Sequence, residues 1–263
     1  MAERVVQHIR EIIAVVKDPI FIKQMIWVGL FAAIMVVTLL VNIDYLNSTY
    51  PDPPRPPDRI LDWIPQNTDF IQYGEYLSRV EIALVIFFFL AVPERLRRFP
   101  KMLFLLCVMF TMRGFAITLT PMEDITPASE YFAKSDFIVQ AFYHGQFFSG
   151  HSSSALIQAF FLWPYRVRGI RVTWFVLPLA IGQIVSILIY HGHYSIDIFA
   201  AFFVVYFILT FDFMWLVPGW LRHVQWMPWY INQPTATEYI PQPVVSEVNP
   251  SEQYPQKEIS DYD

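Results

Sequence analysis

The feature that most constrains this chain is a succession of charge-poor apolar runs. They are Gln24–Ile43, Ile71–Val92, Met102–Leu119, Ser149–Pro164, Val172–Tyr190 and Ile196–Val217. A helix rises 1.5 Å per residue, so about twenty residues cross a hydrocarbon core of roughly 30 Å. In lipid every backbone N–H and C=O must find an internal partner, which makes helix the sensible reading of each run. The expectation is an all-α integral membrane protein, a bundle of six spans of which the fourth is the shortest. Composition agrees: 55% of residues are hydrophobic and only 16% are charged, against about 25% charged in soluble domains. A water-soluble globule of this length is therefore excluded. One cysteine, Cys107, inside an apolar run, rules out an intrachain disulfide framework and a Cys-rich metal site. A net charge of −5 argues against a nucleic-acid partner.

Lys and Arg set the expected orientation. Arg4, Arg10, Lys17 and Lys23 precede the first run. Arg95, Arg97, Arg98 and Lys101 fill the second connection, Arg166, Arg168 and Arg171 the fourth, and Arg222 and Lys257 follow the last run. The alternate connections hold only Arg55, Arg59 and Lys134. The positive-inside rule then puts both termini in the cytoplasm. Charged residues precede the first run and Asn-Ile-Asp-Tyr follows it, so it reads as a span and not as a cleavable signal peptide. Trp215, Trp220, Trp226 and Trp229 look like an interfacial aromatic belt. Three regions result: a cytoplasmic N-terminal segment (1–23), a six-span catalytic domain (24–230) and a disordered acidic cytoplasmic tail (231–263). The tail carries Glu238, Glu247, Glu252, Glu258, Asp261 and Asp263 against Lys257, so the whole net charge resides there. Any cytoplasmic partner is expected to bind this tail.

Four of the six histidines, His144, His151, His191 and His193, fall at the ends of runs on one expected side of the membrane. His193 and Asp197 stand four residues apart, one helical turn on one face. A carboxylate there accepts the ring N–H, fixes the tautomer and raises the basicity of the other nitrogen, which prepares a nucleophilic imidazole. Ser149-Gly150-His151 opens a helix, where free backbone N–H groups and the dipole favour a phosphate. His151 is placed to act as general acid and base. Arg113, inside the third run, is costly in hydrocarbon and should face a polar cavity, where its guanidinium suits phosphate oxygens. Plainer structural readings exist for each: a hydrogen-bonded His193–Asp197 pair, a helix cap at His151, an ion pair at Arg113, and a Glu75–Arg79 bridge at a helix entry. Glu81 is expected to pair inside the bundle.

Ser149-Gly150-His151 and His193-x-x-x-Asp197 resemble the last two signature segments of the type-2 phosphatidic acid phosphatase (PAP2) superfamily, and more closely its sphingomyelin synthase branch. Pro53-Pro54-Arg55-Pro56-Pro57-Asp58 with Leu61-Asp62 is similar to that branch's Pro-Pro-x-Pro-Asp-x-x-Phe-Asp stretch. Arg113 with Thr118, Leu119 and Pro121 is similar to its Arg and Thr-x-Leu-Pro. His144–Ser152 follows its Cys-Gly-Asp-x-x-x-Ser-Gly-His-Thr with changes, and His191–Asp197 matches its His-x-His-Tyr-Thr-x-Asp with Ser195 for Thr. The resemblance runs over roughly residues 24–217. It implies six spans, an active site on the exoplasmic or lumenal side of a plasma or Golgi-type membrane, and a phosphohistidine-type intermediate.

Carried over by position, His193 is the nucleophile, Asp197 orients it and His151 is the acid-base partner, with Arg113, Ser149, Gly150 and Ser152 on the phosphate. Glu75, thirteen positions after Asp62, is a candidate for the layer behind these residues, as are His144, Gln146 and Tyr194. His144 and Gln146 stand where the synthases have Cys and Asp, and Ser152 replaces Thr, as in the phosphatases. The implied activity is transfer of a phosphoryl head group, phosphocholine or related, from a membrane phospholipid to a ceramide-like lipid alcohol, with no metal and no cofactor. Phosphatase or phospholipase C hydrolysis with water as acceptor is the alternative. A degenerate member serving as a membrane scaffold through its tail is the non-enzymatic one.

Overall fold

The computed structural model describes residues 2–50, 54–122, 147–167, 169–211 and 216. Contacts divide the chain into two units, Met1–Trp229 and Tyr230–Asp263, and everything described belongs to the first. The expected tail, the Trp cluster, His144 and Gln146 lie outside the described residues.

The described chain is mostly helical. Its elements are α1 (Ala2–Lys17), α2 (Pro19–Thr49), α3 (Arg59–Trp63), α4 (Phe70–Leu90), α5 (Pro93–Leu96), α6 (Phe99–Leu119) and α7 (Gly150–Phe161). Then come a two-stranded antiparallel ribbon, β1 (Arg166–Val167) and β2 (Ile170–Arg171), and the helices α8 (Thr173–Ile189) and α9 (Ser195–Thr210). Local chemistry sets the boundaries. Asp18 caps α2, accepting the Ile20 N–H at 2.9 Å, and Pro19 occupies the first position, where its missing N–H costs nothing. Pro93 and Pro100 sit likewise in the first turns of α5 and α6. Gly169, at φ 83, makes the ribbon turn that other residues resist.

Two segments, Pro19–Leu46 and Pro93–Leu119, are long and apolar enough to cross a membrane, and Thr173–Ile189 and Ser195–Thr210 are apolar but shorter. The expected fourth span, Ser149–Pro164, is a helix of 12 residues, about 18 Å long at 1.5 Å per residue. The last expected span stops short as well. Thr210 ends α9, and the expected continuation to Val217 lies almost wholly outside the described residues. The N-terminal segment, expected only as a charged stretch, is the helix α1.

Short α7 lies at the centre. It packs on α4, α6, α8 and α9, while α2 packs on α6 and α4 on α8. Its inward residues are small or closely fitted: Ser152, Ser153, Ala155, Leu156, Ile157 and Ala159 are essentially inaccessible. By contrast α2 exposes Ile26, Leu30, Ile34, Val37 and Val41. In water such a row would be a liability, and in a bilayer it is the lipid-facing side. Inside the bundle the Gln183 amide of α8 donates to the Glu81 carboxylate of α4, as expected for an internally paired acid.

Candidate active site

The site forms where the start of α7 meets the turn between α8 and α9. Ser149 caps α7: its Oγ accepts the Ser152 N–H at 3.2 Å. The Ser149 N–H donates to the Asp197 carbonyl at 3.1 Å, tying the start of α7 to the first turn of α9. Phe148 just before the cap has φ 33, uncommon for a bulky residue, and is buried. Its carbonyl accepts from Arg113 Nε at 3.3 Å. Arg113 is 1% exposed, a cation enclosed by protein. Gly150 is what lets it come so close, because a Cβ there would lie 3.2 Å from the Phe110 ring and 3.3 Å from Arg113 Cδ and Nε.

The second wall is Tyr190–Asp197. His191 turns the chain at φ 57, and its Nε2 pairs with the Ile64 carbonyl at 2.9 Å. Gly192 follows with its N–H on the Ile187 carbonyl at 2.9 Å, and a Cβ there would lie 2.0 Å from the Tyr190 ring. His193 then enters the protein. Its Nδ1 faces Asp197 Oδ2 at 3.4 Å, both side chains being buried, which directs Nε2 away from the carboxylate. Burial lowers the His193 pKa below its ordinary 6.5, the neighbouring Arg113 and His151 add to the decrease, and Asp197 opposes it. The neutral imidazole, which has a lone pair to offer, is thereby favoured.

His151, on the first turn of α7, has Nε2 3.7 Å from Glu75 Oε1 of α4. The Oγ atoms of Ser152 and Ser153 and Oδ1 of Asp197 are buried with no hydrogen-bond partner among the described residues. A buried polar atom left unmatched costs on the order of 1–3 kcal/mol, and Gln24 Nε2, Trp27 Nε1, Asn42 Nδ2 and Glu81 Oε1 share that condition elsewhere among the described residues. Among the described residues no three His, Cys, Asp or Glu side chains gather as a metal-binding group.

His193, Asp197, His151, Arg113, Ser149, Gly150, Ser152 and Glu75 are thus brought together from α4, α6, α7 and the 190–197 segment. Ser149 differs in emphasis from its expected role, since its hydroxyl is engaged as the cap of α7. Tyr194 lies beneath the site: it is 2% exposed, packs with Leu61, Met122 and Leu188, and its carbonyl takes the Asp197 N–H at 3.0 Å.

Sequence reasoning misses two contributors, Asp58 and Phe148. In the sequence Asp58 stands out only as part of the proline-rich stretch. Its carboxylate joins two helix starts, accepting the N–H groups of Ile60 and Leu61 at 3.0 and 3.2 Å and the Ser195 N–H and Oγ at 2.5 and 2.9 Å. Burial alone would raise the Asp58 pKa, but these hydrogen bonds outweigh it and hold the pKa below its ordinary value. Phe148, and the turn made at His191 (which the sequence singles out only as a clustered motif histidine), escape sequence reasoning because a positive φ at a non-glycine residue leaves no compositional signal. The Asp58 signal was present in retrospect, as an Asp opening a short helical turn.

Residues 146–214 match the family model described as PAP2 superfamily C-terminal. The match covers α7 to α9 with the site residues they carry, well under half of the chain, and supports membership of the PAP2 superfamily. It does not discriminate among branches of that superfamily. A comparison with curated proteins finds no match. Together with the apolar helices, the family match supports a membrane protein whose chemistry is of the lipid phosphatase or phosphotransferase type.

Proposed function

We propose that this protein transfers a phosphoryl head group from a membrane phospholipid to a ceramide-like lipid alcohol. The observation that carries the reading is two imidazoles close to an enclosed arginine: His193, backed by the buried Asp197, feels both His151 and Arg113, and Arg113 on α6 meets the Phe148 carbonyl just before α7. Nε2 of His193 attacks the phosphorus, and the bond from phosphorus to the diacylglycerol oxygen breaks as His151 gives that oxygen its proton. The head group is then held on His193 as a phosphodiester-like adduct. His151, now a base, takes the proton of the acceptor hydroxyl, whose oxygen displaces Nε2 from phosphorus. Arg113 and the Ser152 hydroxyl bind the non-bridging oxygens, where charge accumulates in the transition state. Asp197 keeps the proton on Nδ1 through both steps. The proposal includes six spans with both termini cytoplasmic, an exoplasmic or lumenal site, and a tail that is separate from the catalytic body.

Hydrolysis, with water as the acceptor, is the second reading. Two residues favour it: Ser152, which the phosphatases share, and Gln146, where the synthases have a carboxylate. The test is incubation of the purified protein with mixed phospholipids, ceramide and phosphatidic acid, followed by mass spectrometry. A new ceramide phosphodiester supports the transferase. Released inorganic phosphate with no diester product supports the phosphatase and overturns the transferase.

A further inference from the structure

Helix α1 is two-sided where α2 is apolar all round. At 100° per residue, His8, Ile12 and Val15 share the side that meets the bundle. Val15 is buried, Ile12 packs on the core, and His8 Nε2 pairs with the Leu90 carbonyl at 3.1 Å. Next around the helix come Val5, Val16, Ile9, Ile13 and Val6, over an arc of about 100°. All five are β-branched aliphatics 45–53% exposed. Lys17 and Arg10 border that arc, and Glu3, Gln7, Glu11 and Arg4 complete the polar side. The apolar surface of α1 is therefore continuous, and the bundle covers only part of it.

Its position says what covers the rest. Asp18 ends α1 and opens α2, the longest apolar helix, and pairs with Arg97 beyond α5. From that corner α1 packs along α5 and reaches the last residue of α4 through His8. The extended backbone at Asp18 breaks the helix there, and α1 packs on α5 as well as α2 and touches the end of α4, so it does not simply prolong α2. A helix so placed, on a bundle whose flanks face lipid, lies where hydrocarbon gives way to head groups. Arg4, Arg10 and Lys17 on α1, with Arg95, Arg97 and Arg98 next to it, complement an anionic leaflet. A charged face, a separate apolar stripe and low average hydrophobicity are the features of interfacial helices.

We infer that α1 is an interfacial anchor, with Val5, Ile9, Ile13 and Val16 in the acyl boundary of the protein's own bilayer and Lys17 and Arg10 among anionic head groups. The inference needs the bundle to sit in a membrane and is independent of the chemistry at His193.

The test uses the full chain in nanodiscs containing phosphatidylserine, in a Cys107→Ser background. Val5→Cys, Ile9→Cys and Ile13→Cys carry spin labels on the stripe, and Glu3→Cys and Gln7→Cys carry them on the polar side. None of these alters His8, Ile12 or Val15, so α1 keeps its seat on the bundle. The ratio of collisions with oxygen to collisions with a water-soluble nickel chelate should be at least about fivefold higher on the stripe. Equal nickel access on both sides overturns the inference. So does protection of the stripe from both reagents, which is what coverage by a second protein copy or by another segment of the chain would produce.

Discussion

Both ends of the bundle concentrate polar side chains, and they treat them differently. At the end formed by α1, α5 and the ribbon, cations lean on partners near the surface. Arg97 pairs with Asp18, Arg98 meets the Tyr165 hydroxyl at 3.2 Å, Arg95 lies 4.3 Å over the Phe88 ring and Arg171 lies 4.5 Å over Trp163. At the other end Arg113, His193, Asp197 and Ser152 are buried, and two of them present polar atoms without a partner among the described residues. Exposed ion pairs contribute about 0–1 kcal/mol each, and most of the first set have a water-accessible alternative. The second set has none. Gln24 Nε2 and Trp27 Nε1, near the start of α2, are also buried without a partner among the described residues, so what separates the two ends is the gathering of two imidazoles, a buried carboxylate and an enclosed guanidinium at the second.

The comparison can be broken most decisively at the imidazole. His193→Ala should lower turnover in the head-group assay on the order of 10⁴-fold or more, while Arg97→Ala should leave it within about threefold. Comparable losses at the two positions would erase the distinction. Arg113→Lys comes next. It keeps the charge but loses the planar fork, so kcat/KM should fall on the order of 100-fold, whereas Arg98→Lys at the other end should cost under about 1 kcal/mol in thermal unfolding and little activity.

Asp58→Ala tests the brace between the two helix starts. Loss of these caps should cost about 1–2 kcal/mol and lower kcat roughly tenfold with KM little changed, because the His193–Asp197 segment is loosened and the phosphate contacts remain. Asp58→Asn, which keeps an acceptor oxygen, should recover part of the loss. Unaltered kcat in Asp58→Ala would remove the brace from the site.

The smallest effect is on pH. The folded protein holds the His193 pKa below 6.5, so the acid limb of kcat/KM should have its midpoint below pH 6.5. The same shift has a stability counterpart. As pH falls through 6.5 the unfolded chain takes up a proton that the folded chain resists, so this residue's contribution weakens between 6.5 and the lower folded value. A midpoint above 6.5, read from a rate profile, would contradict a buried neutral imidazole.

Much of the site was legible in the sequence because its parts are local. Ser149-Gly150-His151 is a cap followed by a close approach, and His193 with Asp197 is one helical turn, so spacing alone announces each. Their assembly was not legible. Glu75 reaches His151 across 76 positions, and Asp58 reaches Ser195 across 137, and no periodicity encodes either meeting. The helix boundaries show the same division. Apolar runs located α4, α6 and α8 to within a few residues, but run length understated α2 at both ends, overstated the central α7 and the end of α9, and missed α1 entirely. In α1 the apolar residues form a stripe and not a block, so mean hydropathy does not single it out.

The sequence by itself pointed to a membrane as this chain's surroundings and to the chemical types of its candidate site residues, because both follow from composition and short-range spacing. Only the tertiary structure decided which of those groups meet and which of them are buried. Those outcomes depend on how α7 is enclosed by α4, α6, α8 and α9, on a glycine that admits Arg113, and on a carboxylate that ties a proline-rich connection to the start of α9. Packing brings distant residues together through volume and hydrogen-bond geometry, and neither is written in any local stretch of the chain.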